Sequence, residues 1–397
     1  MEWKITNIGS LCDRVCSGGT PKSTNNAYYN GNIPWLNTKE VNFNRIYDTE
    51  KNITQLGLEN SSAKWISENS VIVAMYGATA GKVAITKIPI TTNQACCNLS
   101  INSEIADYNF VYYFLCSKFY ELSSLANGGA QQNLNAQIIK DFPIKIPVNL
   151  SDQKKIAGIL SALDSKIENN NKINANLEAQ AEALFKSWFV DFTPFKDQPF
   201  VDSELGPIPQ GWKVGKLGDI ALQSTEKVLT RNDVKVLSPI TTGKLVLSEE
   251  YFTKQVFSKS IRNYKIVKQG AFAYNPARVN IGSLGMNEFK FDGCVSPVYV
   301  VFECLKGYSF FFDLFRKTEF FKQAVISFAI GGVRQTLNYS DFALIDVTIP
   351  PLNIVQSFNE IYLHLKKKIS INEEENQWLA ALRDTLLPKL MSGEIKL

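Results

Sequence analysis

The sequence predicts a mixed α+β protein with two strand-rich domains, each followed by a long helix, and the main evidence is an internal repeat. Residues 128–147 and 331–350 align without a gap at an offset of 203 and share seven of their twenty positions. A second similarity marks the start of each copy at an offset of 209: Trp3-Lys4 with Ile8-Gly9, against Trp212-Lys213 with Leu217-Gly218. Twice either offset is close to the chain length of 397 residues, which indicates two copies of one plan.

Each copy is predicted to begin with strands. Short apolar, β-rich runs alternate with Gly, Pro and Asn turn signals at residues 70–76, 82–88 and 94–101, and again at 270–276, 295–303 and 343–350. Residues 191–212, between the copies, are rich in proline and lack periodicity, which is typical of a linker. The predicted boundaries are 1–150 for the first domain, 151–191 for the first helix, 192–210 for the linker, 211–353 for the second domain and 354–390 for the second helix.

The two helices are predicted from long apolar stripes. After an N-cap at Ser151-Asp152, apolar residues recur at helical spacing as far as Trp188. From Val355 the second helix shows two heptad columns and is expected to end near Pro388. A helix of about 40 residues is roughly 60 Å long, which exceeds the length of an ordinary core helix.

Asparagine interrupts the middle of both stripes. Asn169, Asn170 and Asn171 lie near the centre of the first helix, and Asn372 and Asn376 lie near the centre of the second. If the helices pair antiparallel, these midpoints meet, and Asn170, Asn372 and Asn376 would fix the register of the pair. The alternative is that these asparagines simply face water.

Composition limits the possible classes of function. The chain is 45% hydrophobic and 20% charged, which is typical of a globular protein, and its net charge of +4 permits a nucleic-acid partner without indicating one. The longest apolar stretches, such as Val295 to Phe302, are too short to span a membrane, and the N-terminus lacks a signal sequence, so we expect a cytoplasmic protein. Seven scattered cysteines and a single histidine, His364, give little basis for a metal site; we expect buried free thiols and a structural histidine.

A series of segments connects the whole chain with a known family. They are WKITNIGSLCDRVCSGGTP, WLNTKEV, YGATAGKVAI, TTNQACCNL, GGAQQNLN, the helix SDQKKIAGILSALDSKIENNNKINANLEAQAEALFKSWFVDF, SELGPIPQGWKVGKLGDIA and the closing LRDTLLPKLMSGEIKL. In this order and at this spacing, they resemble the specificity subunits of type I restriction-modification systems along essentially the whole chain.

The resemblance implies two target-recognition domains, each reading one half of a split, asymmetric DNA sequence. It also implies that the helices form an antiparallel coiled coil that separates the domains and docks two methyltransferase subunits, with restriction subunits as further partners. Such a chain is a non-catalytic DNA-recognition subunit, so S-adenosylmethionine, ATP and magnesium are expected in the partner subunits and no cofactor in this chain. The alternatives are a related multisubunit modification system and a self-sufficient DNA methyltransferase.

Two turns are candidates for contact with DNA. Residues 76–82, YGATAGK, resemble a phosphate loop, but the spacing is one residue short and Val83 replaces the Ser or Thr that would hold magnesium. As a turn between strands, this segment can instead approach DNA phosphates, with Thr79 and Lys82 as contacts. Residues 275–282 begin like the Asn-Pro-Pro-aromatic signature of adenine methyltransferases but lack the second proline and the aromatic residue, so methyl transfer by this chain alone is not expected.

The loops that end in the repeated Leu-Asn pairs are the second candidate surface. Arg334 suits guanine, whereas glutamine and asparagine amides suit adenine. Leu134-Asn135 and Leu337-Asn338 are common to both copies and are expected to hold the loops in shape, so the positions that differ are better candidates. The predicted DNA-binding residues are Lys22, Lys39, Thr79, Lys82, Gln131, Gln132, Asn133, Arg278, Asn280, Arg334, Gln335 and Thr336, of which Lys22, Lys39 and Arg278 could equally be solvated surface charges.

Overall fold

The computed structural model describes residues 1–127, 134–252, 254–328, 336–395 and 397. The packing divides the chain into two units: the first unit is Met1–Asn171 with Glu373–Leu397, and the second unit is Lys172–Asn372. Both boundaries fall inside long helices, so each unit consists of one strand-rich domain and a segment of each helix. The predicted boundaries follow changes of secondary structure instead, which is why they separate the domains from the helices.

The first half of the chain supplies strands β1 to β10 and helices α1 to α5. The strands are β1 (Trp3–Asn7), β2 (Cys12–Ser17), β3 (Tyr29–Leu36), β4 (Asn44–Ile46), β5 (Asn52–Ile53), β6 (Val71–Ala74), β7 (Val83–Thr86), β8 (Thr91–Thr92), β9 (Cys96–Ile101) and β10 (Pro143–Pro147). The helices are α1 (Gln55–Glu59), α2 (Tyr108–Ser117), α3 (Phe119–Asn127), α4 (Ala136–Asp141) and α5 (Leu150–Phe189).

The second half supplies strands β11 to β22 and helices α6 to α10. The strands are β11 (Phe200–Val201), β12 (Ile208–Pro209), β13 (Lys213–Lys216), β14 (Ala221–Ser224), β15 (Lys235–Pro239), β16 (Leu245–Leu247), β17 (Lys265–Val267), β18 (Phe272–Tyr274), β19 (Leu284–Met286), β20 (Gly293–Val295), β21 (Val300–Cys304) and β22 (Asp346–Ile349). The helices are α6 (Ser248–Tyr251), α7 (Ser309–Phe315), α8 (Glu319–Phe328), α9 (Tyr339–Phe342) and α10 (Leu352–Ser392).

The first unit is built around a five-stranded sheet in the order β2-β9-β6-β7-β4. Its central strand β6 is buried along its whole length, as expected of a short apolar run between turn signals. Val73 of this strand belongs to a large hydrophobic core with Phe110 of α2, whereas the adjacent Ile72 belongs to a smaller cluster that includes Ile90. Because successive side chains of a strand point to opposite faces, both faces of the sheet are covered.

The second unit repeats this topology. Its sheet β14-β21-β18-β19 corresponds strand for strand to β2-β9-β6-β7, and the closing pair β13-β22 corresponds to β1-β10. Gly9 and Gly218 occupy equivalent places, where a Cβ would lie 3.2 Å from the carbonyl oxygen of Lys140 and 3.3 Å from that of Ala343. The shared glycines therefore reflect the same close backbone approach in both domains, and the predicted α+β fold with an internal two-fold repeat is confirmed.

Residues 192–210, predicted as a linker, form an ordered part of the second unit. They contain the β11-β12 hairpin and the buried Phe195, whose ring centre lies 6.0 Å from that of Trp188 and 5.3 Å from that of Trp212. The sequence shows no helical or strand periodicity here because scattered aromatic side chains, rather than a regular element, provide the packing.

The two long helices lie within two residues of their predicted bounds. Helix α10 passes through Pro388 and ends at Ser392, two residues beyond the predicted bound of 390. A proline inside a helix costs about 3 kcal/mol, and the burial of Leu390 and Met391 in the core of the first unit offsets that cost. Among the described residues, no helix is both long and apolar enough to cross a membrane.

In the first unit, the two helices run antiparallel. Arg383 of α10 donates to Asp164 of α5 at 2.8 Å, whereas the earlier Asn376 contacts the later Asn170. Asn170 is buried and donates to Asn376 at 2.9 Å and to Glu375 at 2.7 Å. Residue numbers thus rise along one helix as they fall along the other.

The second unit contains an antiparallel helix pair as well. Asn372 donates to the buried Asn174 at 2.7 Å, and the rings of Phe358 and Trp188 lie 5.8 Å apart. The asparagines Asn170, Asn372 and Asn376 therefore bond to side chains of the facing helix, and Asn174, which the sequence pattern did not single out, is one of the partners. Their role in fixing the register stays a prediction.

Replacing Asn170 and Asn372 together by leucine is expected to loosen the register, because leucine packs in several alignments and makes no directional bond to Asn376 or Asn174. Sedimentation analysis and disulfide mapping between cysteines introduced along the seam report oligomeric state and register. The control is Asn169→Leu, at an exposed position one residue away. A monodisperse double variant with one cross-linking register would show that the asparagines do not fix the alignment.

Candidate nucleic-acid interface

A hairpin turn joins two central strands of the first unit, β6 and β7. It passes through Gly77 and Gly81 at φ values of 73° and 85°, which glycine adopts more readily than any other residue. A Cβ at Gly81 would lie 3.0 Å from the backbone nitrogen of Ser123, so the turn lies directly against α3. Thr79 and Lys82, two predicted contacts, are half-buried on this turn.

The segment that follows the first candidate loop is bonded to the same turn. The N–H of Leu134 donates to the carbonyl oxygen of Met75 at 3.1 Å, and the side chain of Leu134 is fully buried. Asn135 caps α4 by accepting from the N–H of Ile138 at 2.9 Å. These contacts confirm that Leu134-Asn135 holds the chain in shape; the candidates Gln131, Gln132 and Asn133 lie outside the described residues.

The second unit forms the equivalent arrangement between β18 and β19. The turn carries the exposed Arg278 and passes through Gly282 at φ 93°, where a Cβ would lie 2.5 Å from the carbonyl oxygen of Thr241. The N–H of the buried Leu337 donates to the carbonyl oxygen of Pro276 at 3.0 Å. Among the other candidates here, Thr336 is exposed beside Leu337, and Arg334 and Gln335 lie outside the described residues.

The two turns share their position between equivalent strands and one glycine, and they differ in most side chains. At an offset of 201 residues, the equivalent pairs are Gly81 with Gly282, Thr79 with Asn280, and Lys82 with Ser283. Gly81 and Gly282 both have a positive φ, whereas Gly77, whose φ is also positive, aligns with Arg278, whose φ is −137°. Two equivalent turns with different donors and acceptors can recognise two different nucleotide sequences.

Lys82 is held in a defined position by its neighbours. Its Nζ donates to Oδ1 of Asn42 at 2.7 Å and lies 5.9 Å from the ring centre of Phe43. Phe43 has a positive φ of 54°, and its ring packs edge-on against Phe119 at 5.2 Å. An ammonium group carries three donors, so the bond to Asn42 leaves capacity for a phosphate. The sequence pattern did not identify Asn42 or Phe43, because nothing local predicts a positive φ at phenylalanine.

The remaining candidates occupy several places. Lys22 is exposed in the loop after β2, and Lys39 forms an exposed ion pair with Glu50 after β3. Exposed ion pairs of this kind contribute little to stability, so Lys39 can exchange partners. Arg278 and Asn280 are exposed on the turn of the second unit, and their position there makes them stronger candidates than Lys22 and Lys39.

A cavity of about 520 Å³, lined by both polar and apolar side chains, adjoins the turn of the second unit. Its lining includes Thr241, Asn280, Gly282, Arg316 and Lys322. Arg316 donates to Asp313 at 2.7 Å, and Lys322 donates to Glu319 at 2.6 Å, so both cations are paired. The recess is therefore better suited to hydrogen bonding than to strong electrostatic attraction.

The cysteines and the histidine differ in part from expectation. All seven cysteines are free, but only Cys96, Cys97 and Cys294 are fully buried; burial raises the pKa of Cys97 to about 12, which keeps its thiol protonated near neutral pH. His364, expected to be structural, is exposed on α10. In the described part of the chain, no group of three or more His, Cys, Asp or Glu side chains is placed to hold a metal ion.

The fold and the two equivalent turns define a class of protein in which each of two like-folded, strand-rich domains packs with segments of two long helices. The same fold occurs in the crystal structure of the type I restriction-modification S subunit from M. genitalium, with a TM-score of 0.57, 17% identity and coverage of 98% of this chain and 96% of that chain. Residues 1–179 match the family model for the type I restriction modification DNA specificity domain.

Similarity in sequence extends over the whole chain. The MjaIX specificity subunit of Methanocaldococcus jannaschii is 29% identical over 415 aligned positions, which cover 100% of this chain and 94% of the relative. The HindI specificity subunit of Haemophilus influenzae is 21% identical over 471 positions, which cover 99% and 100%. Over its whole length the chain is therefore similar to specificity subunits of type I restriction-modification systems, which confirms the resemblance expected from its sequence.

Proposed function

We propose that each strand-rich domain recognises one half of a split, asymmetric DNA site through its hairpin turn and the adjoining loop. The observation that carries this proposal is the repeated backbone arrangement, with Leu134 bonded to Met75 and Leu337 bonded to Pro276, surrounded by different side chains. A symmetric dimer presents identical side chains twice and therefore reads a palindrome. The differing side chains of this chain favour two different half-sites.

In this proposal, helices α5 and α10 set the spacing between the half-sites. Support comes from their lengths of 40 and 41 residues and from the side chains that α5 contributes to the cores of both units. A helix of that length spans about 60 Å, and recognition elements on one face of DNA lie about 34–36 Å apart. A stiff helix pair can therefore impose one preferred spacer length.

The catalytic chemistry belongs, in this proposal, to the partner subunits. Two methyltransferase subunits and the restriction subunits would supply S-adenosylmethionine, ATP and magnesium, and this chain would bind none of them. The support lies in the sequence: residues 275–282 lack the second proline and the aromatic residue of the adenine methyltransferase signature, and residues 76–82 lack the magnesium-holding hydroxyl of a phosphate loop.

Mapping methylated adenines on genomic DNA tests the proposal directly. The chain is expected to co-purify with its methyltransferase subunit, and a split, asymmetric motif is expected only when both are expressed. The methyltransferase subunit alone is the control. A palindromic motif, methylation that ignores the chain, or methyl transfer by the chain alone would each refute the proposed function.

Alanine substitutions on the two turns should separate phosphate contacts from base contacts. Lys82→Ala is expected to weaken binding about equally for target and unrelated duplexes and to reduce the salt slope by about 1, because a phosphate contact carries no sequence information. Arg278→Ala is expected to relax one base position by about 1–3 kcal/mol. Fluorescence anisotropy at several salt concentrations measures both effects, with Lys155→Ala on the exposed surface of α5 as the control. If neither turn variant changed binding, the turns would not be the contact surface.

Helix α10 carries an exposed apolar stripe that fits the docking of a methyltransferase subunit. Ile371 and Trp378 are one heptad apart and therefore lie on the same face, and they are 53% and 64% exposed. Ile369, on the opposite side of the helix, and Leu379 are buried. Large exposed apolar side chains in a row are typical of protein interfaces, where tryptophan often dominates affinity.

Trp378→Ala is therefore expected to weaken capture of the methyltransferase subunit by about 30-fold or more, the loss typical of an interface residue worth about 2 kcal/mol. Calorimetric titration of one subunit into the other measures the change. Trp65→Ala is the matched control, because Trp65 is a comparably exposed tryptophan, at 46%, in the first strand-rich domain. Equal affinities for the wild type and Trp378→Ala would show that Trp378 is not part of the docking surface.

A further inference from the structure

Edge strand β4 connects the turn that carries Lys82 with helix α5. The strand pairs parallel with β7, and Asn44 lies opposite Ala84 and Ile46 opposite Thr86. In the second unit, β16 stands at the equivalent place, 201 residues later, and lies beside β19, where a Cβ at Gly285 would be 2.7 Å from the backbone nitrogen of Leu245. Its strand partner is β15, however, and Val246 stands where the first domain has Arg45, so the side-chain contacts of β4 with α5 do not follow from the repeat.

The chain that enters β4 fixes the position of Lys82. The N–H of Phe43 donates to the carbonyl oxygen of Val83 at 2.8 Å, next to Lys82 itself. The N–H of Asn42 donates to Oδ1 of Asn44 at 2.8 Å, which orients Asn42 to accept from Lys82. The positive φ of Phe43 is unfavourable for a residue with a side chain, and such strain persists only where surrounding contacts impose it.

Strand β4 itself is bonded to α5 through its central residue, Arg45, whose side chain is only 7% exposed. Nη1 donates to Oγ of Ser165 at 2.9 Å and to Glu168 at 3.2 Å, while Nη2 donates to Oγ and to the carbonyl oxygen of Ser161 at 2.9 and 3.1 Å. The hydroxyl of Tyr47 also donates to Glu168, at 3.0 Å. A planar guanidinium bonded through both Nη atoms is fixed in orientation as well as in position.

The first domain is thus attached to α5 at two successive places. Ile156 and Leu160 of the helix lie in the hydrophobic core of the domain, and Arg45 bonds to the next two turns of the helix, within residues 161–168. Hydrophobic packing is non-directional, so the orientation of the domain on the helix depends on its hydrogen bonds. Gln153 donates to the carbonyl oxygen of Pro147 at 2.9 Å, and the hydroxyl of Tyr113 donates to Asp164 at 2.5 Å. Arg45 extends these directional contacts along the helix as far as Glu168 and connects them to β4.

The second domain is joined to the helices by different contacts. Lys317 donates to Glu182 of α5 at 3.1 Å, and Lys366 of α10 pairs with Glu288. These lysine pairs are more exposed than Arg45, and exposed pairs are weak. The buried bond to the second domain comes instead from α10, where the hydroxyl of Tyr362 donates to Asp313 at 3.1 Å. The two domains therefore differ in how their orientation on the helices is fixed.

We propose that Arg45 is a positioning residue that sets the angle of the first recognition domain on α5, and thereby the point along the DNA at which the Lys82 turn meets its half-site. The inference rests on the proposed function. Three strand residues span about 10 Å, so β4 transmits a displacement at Arg45 to Asn42 and Lys82 over a short, hydrogen-bonded path. Arg45 need not touch DNA to act in this way.

The test uses the assembled methyltransferase complex and a set of duplexes in which the spacer between the half-sites is one base pair shorter, native, or one base pair longer. The measured quantity is the ratio of methylation rates on native and altered spacers. Arg45→Ala is expected to lower this ratio by about tenfold or more, since misplacements near 1 Å change rates by up to about 100-fold. Base preference within each half-site should stay unchanged, and Arg45→Lys should restore only part of the ratio because it lacks the guanidinium fork.

Arg231→Ala is the matched control, because Arg231 pairs with Asp233 and Asp292 in the second unit, away from both helices. A merely structural role would lower the Tm and slow methylation on all spacers alike, so the ratio would not move, and that result would overturn the proposal. If Arg45→Ala folds poorly, Glu168→Gln is the second variant, because it removes the carboxylate that both Arg45 and Tyr47 contact. A wild-type ratio of methylation rates in folded Glu168→Gln would also overturn the proposal. Absence of a split motif in the wild-type complex would instead refute the proposed function.

Discussion

Helix α5 contributes side chains to two hydrophobic cores, and the rest of the architecture depends on this shared packing. Ile156 and Leu160 lie in the core of the first unit, whereas Phe185 and Phe189 lie in the core of the second. Full burial of side chains of this size contributes about 1.5–3 kcal/mol each, so releasing either end of the helix is costly. Sliding the helix along its axis would disturb the packing of both cores.

Between its apolar ends, the helix has a polar centre. Asn170 and Asn174 are buried there, and both bond to asparagines of α10. Asn170 donates to Asn376 at 2.9 Å, and Asn174 accepts from Asn372 at 2.7 Å. Buried amides contribute less stability than leucines of similar size would, but their hydrogen bonds form in one alignment only. The apolar ends thus provide most of the free energy of packing, and the asparagines provide the directional contacts.

Equivalent backbone carbonyl groups in the two domains accept hydrogen bonds from different side chains. In the first unit, the buried Gln153 donates to the carbonyl oxygen of Pro147 at 2.9 Å. In the second unit, the hydroxyl of Tyr308 donates to the equivalent carbonyl oxygen of Pro350 at 2.8 Å, and Gln356, which aligns with Gln153 in the sequence, is exposed. In both copies the buried carbonyl group has a hydrogen-bond donor, because a buried carbonyl without one is costly. The residue that supplies the donor differs between the copies.

The sequence by itself determined the repeat, the two long helices, the glycine turns and the structural role of Leu134 and Leu337, because these features depend on local periodicity and on backbone conformation. Only the tertiary structure decided that Arg45 bonds to α5, between 116 and 123 positions later in the chain. The same holds for the bond between Lys82 and Asn42 and for the continuation of α10 past Pro388. Each of these depends on which distant elements pack side by side. A local pattern contains no information about such neighbours, because the free energy that selects them comes from burial and pairing in the folded chain.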